Sequence, residues 1–232
     1  MREAFFVDGE ATTSGTGAYL AIAFASRDAH AAARLRVALA EVAPDARVVR
    51  SRTNVAAAIR ELEAPVDARE HAEHLRSRVA RVTGDGAVST GVGGPKRGVT
   101  GAHLALLQAE QAAVMGRTLS GDGRVTHFDD LGPFCFVLGR PESDIRDFVD
   151  RILGPLADTE RHSELLRTLD AFLRLHGSLN AVARELYLHR NTVRQRLRRV
   201  AKLTGVDLKD AEARLSLQLA LLAQQALARL LP

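Results

Sequence analysis

The chain has 232 residues and a mass of 25.1 kDa, with 46% hydrophobic and 26% charged residues. It is longer than an ordinary domain of about 100 to 150 residues and near the globular average in composition, so collagen-like, rod-like and disordered chains are excluded and two smaller domains are expected. The formal charge of +4 rests on 29 Arg and only 3 Lys, so the placement of the arginines says more than their number.

Taken from the N-terminus, Glu3, Asp8 and Glu10 interrupt any stretch apolar enough for a signal peptide, and Ala11 to Gly17 is small and polar, so residues 1–18 are expected to be a flexible entry. Tyr19 to Phe24 predicts a strand. Leu35, Leu39 and Val42, at i, i+4 and i+7 before Pro44, predict a helix. Val48-Val49 predicts a second strand, while Val55 to Ile59 stays open between helix and strand because three alanines oppose its β-branched ends. Ala72, Leu75, Val79 and Val82 mark one helical face, Gly84-Asp85-Gly86 a turn, and Ala87 to Val92 a strand. The run Gly91 to Gly98 reads as a strand-to-helix turn; it lacks Walker A spacing, and Pro95 removes a donor where phosphate would sit. Leu104, Leu107, Ala112 and Met115 predict a further helix, and Val125 to Phe128 a last short strand.

From Ile145 onward every segment reads as helix, beginning with Ile145, Phe148, Val149 and Ile152 and broken at Gly154-Pro155. Residues 19–139 are therefore expected to form an α+β body, 140–162 a helical connector and 163–232 an all-helical domain. The stretch Leu215 to Leu231 is interrupted by Ser216, Gln218, Gln224, Gln225 and Arg229, too polar for a membrane span. The single Cys135 lies in the apolar run Phe134 to Leu138 and is expected to be a packed thiol, which suits a reducing cytoplasm.

Charge concentrates in the C-terminal third. Between Ser163 and Thr204 nine basic residues face three acidic ones, a net +6, and the remainder carries −2. Within it, Leu165 to Leu175 is an apolar-faced helix closed by Gly177, and Ser178 opens a short helix with Val182, Ala183 and Leu186 inward. Tyr187-Leu188-His189 makes a turn, and a third helix from Arg190 turns Val193, Leu197 and Val200 to the core. This is helix-turn-helix spacing: a small residue where two helices approach, an apolar plug in the corner, and apolar anchors that fix the second helix. A 100° advance per residue puts Arg190, Asn191, Arg194, Gln195 and Arg198 on or near the opposite side, where Arg can pair with guanine and Asn or Gln with adenine. Like charges stack at 190, 194, 198 and 202, a cost that a polyanion offsets.

The runs Leu165 to Leu173, Gly177-Ser178, Leu188 to Leu197 and Leu203 to Leu208 resemble the C-terminal domain of the PucR family of bacterial transcriptional regulators, related to the carbohydrate diacid regulators; the core His189-Arg190-Asn191-Thr192-Val193, followed after two residues by Arg196-Leu197, also resembles Fis-type recognition helices. Gln195 departs from the family, which often has tyrosine there. Upstream, Ser89 to Gly93, Gly101 to Met115 and Val125 to Leu131 resemble the degenerate GGDEF-like domain that precedes this module. The resemblance implies a ferredoxin-like, cyclase-type fold without cyclase chemistry, with Val55 to Ile59 a strand hairpinned to Val48-Val49. At the turn where a cyclase carries glycines and acids, this chain reads Ser51-Arg52-Thr53-Asn54. It also implies a further N-terminal sensory region, so the chain is expected to be a short member or a piece of a longer one.

The expectation for function is a cytoplasmic, sequence-specific regulator that binds double-stranded DNA. Arg190, Asn191, Arg194 and Gln195 would reach base edges, while Ser178, Thr192, Arg198 and Arg199 hold phosphates. A homodimer on two half-sites is expected, with the body and Ala211 to Leu231 as interfaces, and a small-molecule effector as a further partner; no cofactor and no membrane are expected. The rival readings are a helical protein-interaction module and a nucleotide-cyclase-like enzyme. For the latter the suggestive carboxylates are Asp28, Asp85, Asp129 and Asp130. His71 and His74 lack an evident third ligand and read as a solvated face; His189 reads as a cap or phosphate contact.

Overall fold

The computed structural model describes residues 17–52 and 54–230, so residues 1–16 of the expected flexible entry (1–18), Thr53 of the cyclase-turn comparison and Leu231 of the expected interface helix lie outside the described residues, while Ala18 already belongs to the first strand. The chain divides into two compact units, the first running to Leu131 and the second from Gly132.

The first unit is a five-stranded sheet in the order β2-β3-β1-β4-β5, with β1 at Ala18–Ala25, β2 at Arg47–Arg52, β3 at Val55–Leu62, β4 at Ser89–Arg97 and β5 at Val125–His127. All neighbouring pairs are antiparallel except β4 with β5. The helices are α1 (Ala32–Val42), α2 (Ala68–Thr83) and α3 (Gly98–Ser120). Val55 to Ile59 is a strand paired with β2 and β1, as the resemblance implies. Its alanines form a strand because both neighbours complete its hydrogen-bond ladder and Val55 to Ala58 are buried, which outweighs a propensity difference of tenths of a kcal/mol per residue.

Alternation along the central strand separates the two faces of this sheet. Leu20, Ile22 and Phe24 join Leu35, Leu39, Leu75 and Val79 in one apolar core beneath α1 and α2. The other face carries Ala21 and Ala23, paired across the ladder with Gly93 and Gly91. A Cβ on Gly91 would lie 2.1 Å from the Ala109 carbonyl oxygen and 2.1 Å from the Ala113 nitrogen, and one on Gly93 2.0 Å from the Ala105 carbonyl oxygen. Glycine is required there because α3 rests on the strand backbone itself. This corrects the reading of Gly91 to Gly98 as a turn: the glycines belong to β4, and the helix begins at Gly98. On α3, Ala112 and Met115 are buried as the spacing predicts, but Leu104 and Leu107 are only half-buried; the side laid on the sheet carries Gly101, Ala105, Ala109 and Gly116 in their place.

The Asp67 carboxylate caps α2 by accepting from the backbone N–H of Arg69 (2.9 Å) and Glu70 (3.0 Å), and Gly84 ends the helix at φ 69°. These two bonds hold the Asp67 carboxyl below its ordinary range. Val82, expected on the inner face, is 44% exposed because the last turn of α2 runs past the core.

The second unit contains α4 (Glu142–Leu153), α5 (Thr159–Arg174), α6 (Leu179–Glu185), α7 (Arg190–Thr204) and α8 (Ala211–Leu230), with a short 3-10 turn at Gly154–Ala157. Ile145, Val149 and Leu153 of α4 are buried, whereas Phe148 and Ile152 are half-buried. α8 packs on α4 and buries Leu217, Leu221, Leu227 and Leu230. The apolar side of α8 that the sequence offers as a dimer contact is therefore occupied within the chain. Cys135 is half-exposed rather than packed, because Phe128–Phe136 forms an irregular 3-10 segment that leaves Phe136 76% exposed.

Candidate nucleic-acid interface

The interface is built from α5, α6 and α7. α5 ends in two consecutive left-handed residues, His176 (φ 51°) and Gly177 (φ 81°), where only Gly177 was expected, and the Gly177 N–H donates to the Phe172 carbonyl at 2.8 Å. This tight exit aims Ser178 at the start of α6, where its Oγ accepts from the Ala181 N–H at 3.3 Å. Its hydroxyl hydrogen remains a donor that can be used outward. Val182 is buried, while Ala183, Leu186 and Leu188 are half-buried beneath the turn, and the Leu188 N–H donates to the Ala183 carbonyl at 2.9 Å.

His189 caps α7: its Nδ1 accepts from the Asn191 N–H at 3.2 Å. Val193, Leu197 and Val200 are buried as the periodicity predicts. The helix therefore exposes the remaining sides, with Arg190, Asn191, Gln195, Arg198 and Arg199 exposed and Thr192 and Arg194 half-buried. Arg194 donates to the Asn191 Oδ1 at 3.1 Å, so these two candidate base readers are already oriented together. No acid lies on α7, and among the described residues Arg190, Arg194, Arg198 and Arg199 form no ion pair with a carboxylate.

Two arginines of the same unit behave differently. Arg174 bonds both Asp170 (2.8 Å) and Glu185 (2.6 Å), tying α5 to α6, and Asp170 first, then Glu185, raise its guanidinium pKa. Arg196 reaches from α7 to Glu164 of α5 at 2.7 Å and also donates to Thr168 Oγ1. It is thus a strut within the unit rather than an outward cation. Thr192, Gln195 and Arg199 also border an open cleft of about 440 Å³ against the first turns of α5.

Two further residues stand at this surface without a periodicity or charge pattern of their own to mark them. Tyr187 is 96% exposed and left-handed (φ 52°) in the turn, a conformation rare for an aromatic residue. Arg161 stands on the far wall of the cleft. The position of Tyr187 just before the corner leucine was a usable signal. Arg161 had none, since only the packing of α5 against α7 brings it near the basic helix.

Of the carboxylates that could serve other chemistry, Asp28, Asp85 and Asp130 are engaged elsewhere, and Asp129 is exposed. Asp28 bonds Arg34 and the His30 N–H, Asp85 accepts from the Ser26 hydroxyl at 2.8 Å, and Asp130 pairs with Arg69. His74 is exposed, and His71 is half-buried with its pKa lowered, first by burial and then by Arg60. Among the described residues no cluster of three or more metal-binding side chains occurs, and no helix is long and apolar enough to cross a membrane.

Residues 165–223 match the PucR C-terminal helix-turn-helix domain, and residues 14–115 match the GGDEF-like domain. The chain is similar to the purine catabolism regulatory protein of Bacillus subtilis (37% identical over 44% of this chain and 19% of that protein). It is also similar to the carbohydrate diacid regulator of Escherichia coli (39% over 31% and 18%) and the transcriptional activator PmfR of Paenarthrobacter nicotinovorans (31% over 50% and 25%). The matched stretches are thus a quarter or less of these relatives' lengths. A solved regulator of polyketide synthase expression from Bifidobacterium adolescentis aligns with a TM-score of 0.41 at 24% identity, over 92% of this chain and 82% of that one.

Proposed function

Because the chain belongs to the PucR family, with a GGDEF-like domain ahead of a PucR C-terminal helix-turn-helix domain, we propose that it is a sequence-specific DNA-binding transcriptional regulator. The observation that carries this reading is α7 itself: an acid-free helix, capped and held in place by Arg196, whose remaining arginines are turned outward. A duplex supplies the negative charge these arginines lack, and an exposed helix of this size fits a major groove.

In this reading Arg190, Asn191, Arg194 and Gln195 read base edges, and Ser178, Thr192, Arg198 and Arg199 hold phosphates and set the register. Residues 163–232 act as the reader, 140–162 as its helical connector and 19–139 as the body. One such helix spans only a few base pairs, so a homodimer on half-sites about one helical turn apart follows. The body is a non-catalytic domain that passes on the state of a small-molecule effector, and the protein acts in the cytoplasm. Absence of GTP turnover with magnesium is the expected result for the body, and turnover would restore the enzyme reading.

The decisive experiment is a fluorescence anisotropy titration of the chain against its own upstream duplex and a scrambled one. Arg194→Ala is expected to lose about 1 to 3 kcal/mol of discrimination between the two, whereas Arg34→Ala, whose side chain pairs with Asp28 in the body, leaves it unchanged. The reverse pattern would overturn the assignment of α7 as the reader.

A further inference from the structure

The open cleft of about 440 Å³ between α5 and α7 is not accounted for by a helix lying in a groove. Its α7 wall carries Arg196 and Arg199, and its α5 wall carries Arg161, His162 and Glu164. His162 departs from helical dihedrals within the first turns of α5 (φ −122°, ψ 19°) and is 7% exposed, so a buried polar residue borders the cleft beside the exposed arginines.

The charges are not equivalent. Glu164 faces the cleft, but its carboxylate is taken by Arg196 at 2.7 Å, which neutralises that pair. Arg161 and Arg199 are both exposed, and neither has a carboxylate partner among the described residues. Two guanidiniums on opposite walls, each with a planar fork of donors, match the oxygens of a phosphate, and the Thr192 hydroxyl on the α7 wall adds a donor of the kind common in backbone contacts. The volume exceeds what a single phosphate group fills, leaving space for the sugars on either side of a phosphodiester.

We infer that this cleft is a phosphate seat, with Arg161 of α5 as a DNA backbone contact lying outside the helix-turn-helix. The inference rests on the DNA-binding reading and deepens it: the backbone strand flanking the groove that holds α7 passes between the two helices, and Arg161 fixes the tilt of α7 from the opposite wall. The same chemistry would accept a free phosphorylated molecule, and the test separates the two sources.

Arg161→Ala, Arg161→Lys and the parent chain are titrated by anisotropy against native and scrambled duplexes at several salt concentrations. The Asp158 cap uses the Arg161 backbone N–H, so the substitution leaves the start of α5 intact. Thermal melts confirm the fold. The expected result is an equal loss of affinity for both duplexes in Arg161→Ala, with the salt slope reduced by about 0.9, the value for one released phosphate contact. Arg161→Lys is expected to restore the slope, because lysine still neutralises one phosphate.

An unchanged slope in Arg161→Ala, with native-duplex binding intact in the parent, overturns the seat alone and leaves the regulator reading standing. Failure of the parent to bind either duplex overturns both. An unchanged slope together with a parent melting temperature raised by ribose 5-phosphate, and not raised in Arg161→Ala, shows that the cleft serves a soluble phosphate ester and overturns the DNA source.

Discussion

The two units of this chain stabilise their interiors and place their charges in different ways. In the first, α3 sits directly on the backbone of β4, and the close approach works because Gly91 and Gly93 have no side chains and the helix presents alanines. In the second, branched residues at helical spacing, such as Leu165, Leu169, Val193 and Leu197, fill the interior between the helices. Arginines of the body pair with nearby acids, as in Arg34 with Asp28, Arg60 with Asp45 and Arg76 with Glu73, whereas those on the outer sides of α7 do not. A similar stock of arginine thus serves as local neutralisation in one unit and as an exposed cationic surface in the other. What distinguishes them is the supply of carboxylates within reach, on the same element or on a neighbouring one.

The comparison is broken most severely by filling the glycine floor. In Gly91→Val the Cβ alone would meet two α3 backbone atoms at 2.1 Å, and neither can yield as a side chain tip would; a loss of more than about 3 kcal/mol is expected in the first unit. Urea denaturation followed by circular dichroism measures it, and a loss under 1 kcal/mol would mean that α3 does not depend on this contact. The second unit's transition is expected to stay where it was.

A smaller change sharpens the contrast from the other side. Ser178→Ala removes the side-chain acceptor for the Ala181 N–H and is expected to cost the second unit about 1 kcal/mol, with the first unit unaffected. Ser178→Gly recovers most of that stability. If DNA affinity falls in Ser178→Gly as well, the hydroxyl also holds a phosphate; if affinity is unchanged, Ser178 is a cap and nothing more.

The smallest effect concerns acid. Asp67 has its pKa lowered by the Glu70 and Arg69 amides, so its stabilising contribution is fully present above the unfolded carboxylate value of about 3.9 and is lost as pH falls through the lower folded value. The melting temperature of Asp67→Asn relative to the parent is expected to show a constant gap from pH 7 to about pH 5 that closes below about pH 4. A gap independent of pH would show that the cap does not need the charge.

Local signals account for much of what could be read in advance. Val193, Leu197 and Val200 are three and four residues apart, and helical geometry alone puts them together; Gly177 and Ser178 are the residue types that end and begin helices. The alternation of Leu20, Ile22 and Phe24 was legible for the same short-range reason. Tertiary packing decided the rest. Val55 to Ala58 became a strand because β1 and β2 complete its ladder from either side. The glycines of β4 reveal their purpose only when α3 lies across them, and Gly91 meets residues about twenty positions away. Arg196 became a strut because Glu164, 32 residues earlier, faces it from α5, and Arg161 entered the neighbourhood of α7 by the same packing. Periodicity, caps and the concentration of charge are properties of neighbours along the chain, so the sequence determined that a basic helix would turn its arginines outward. Which of those arginines are neutralised, and what faces them across the cleft, depends on distances between segments, and only the folded chain sets those.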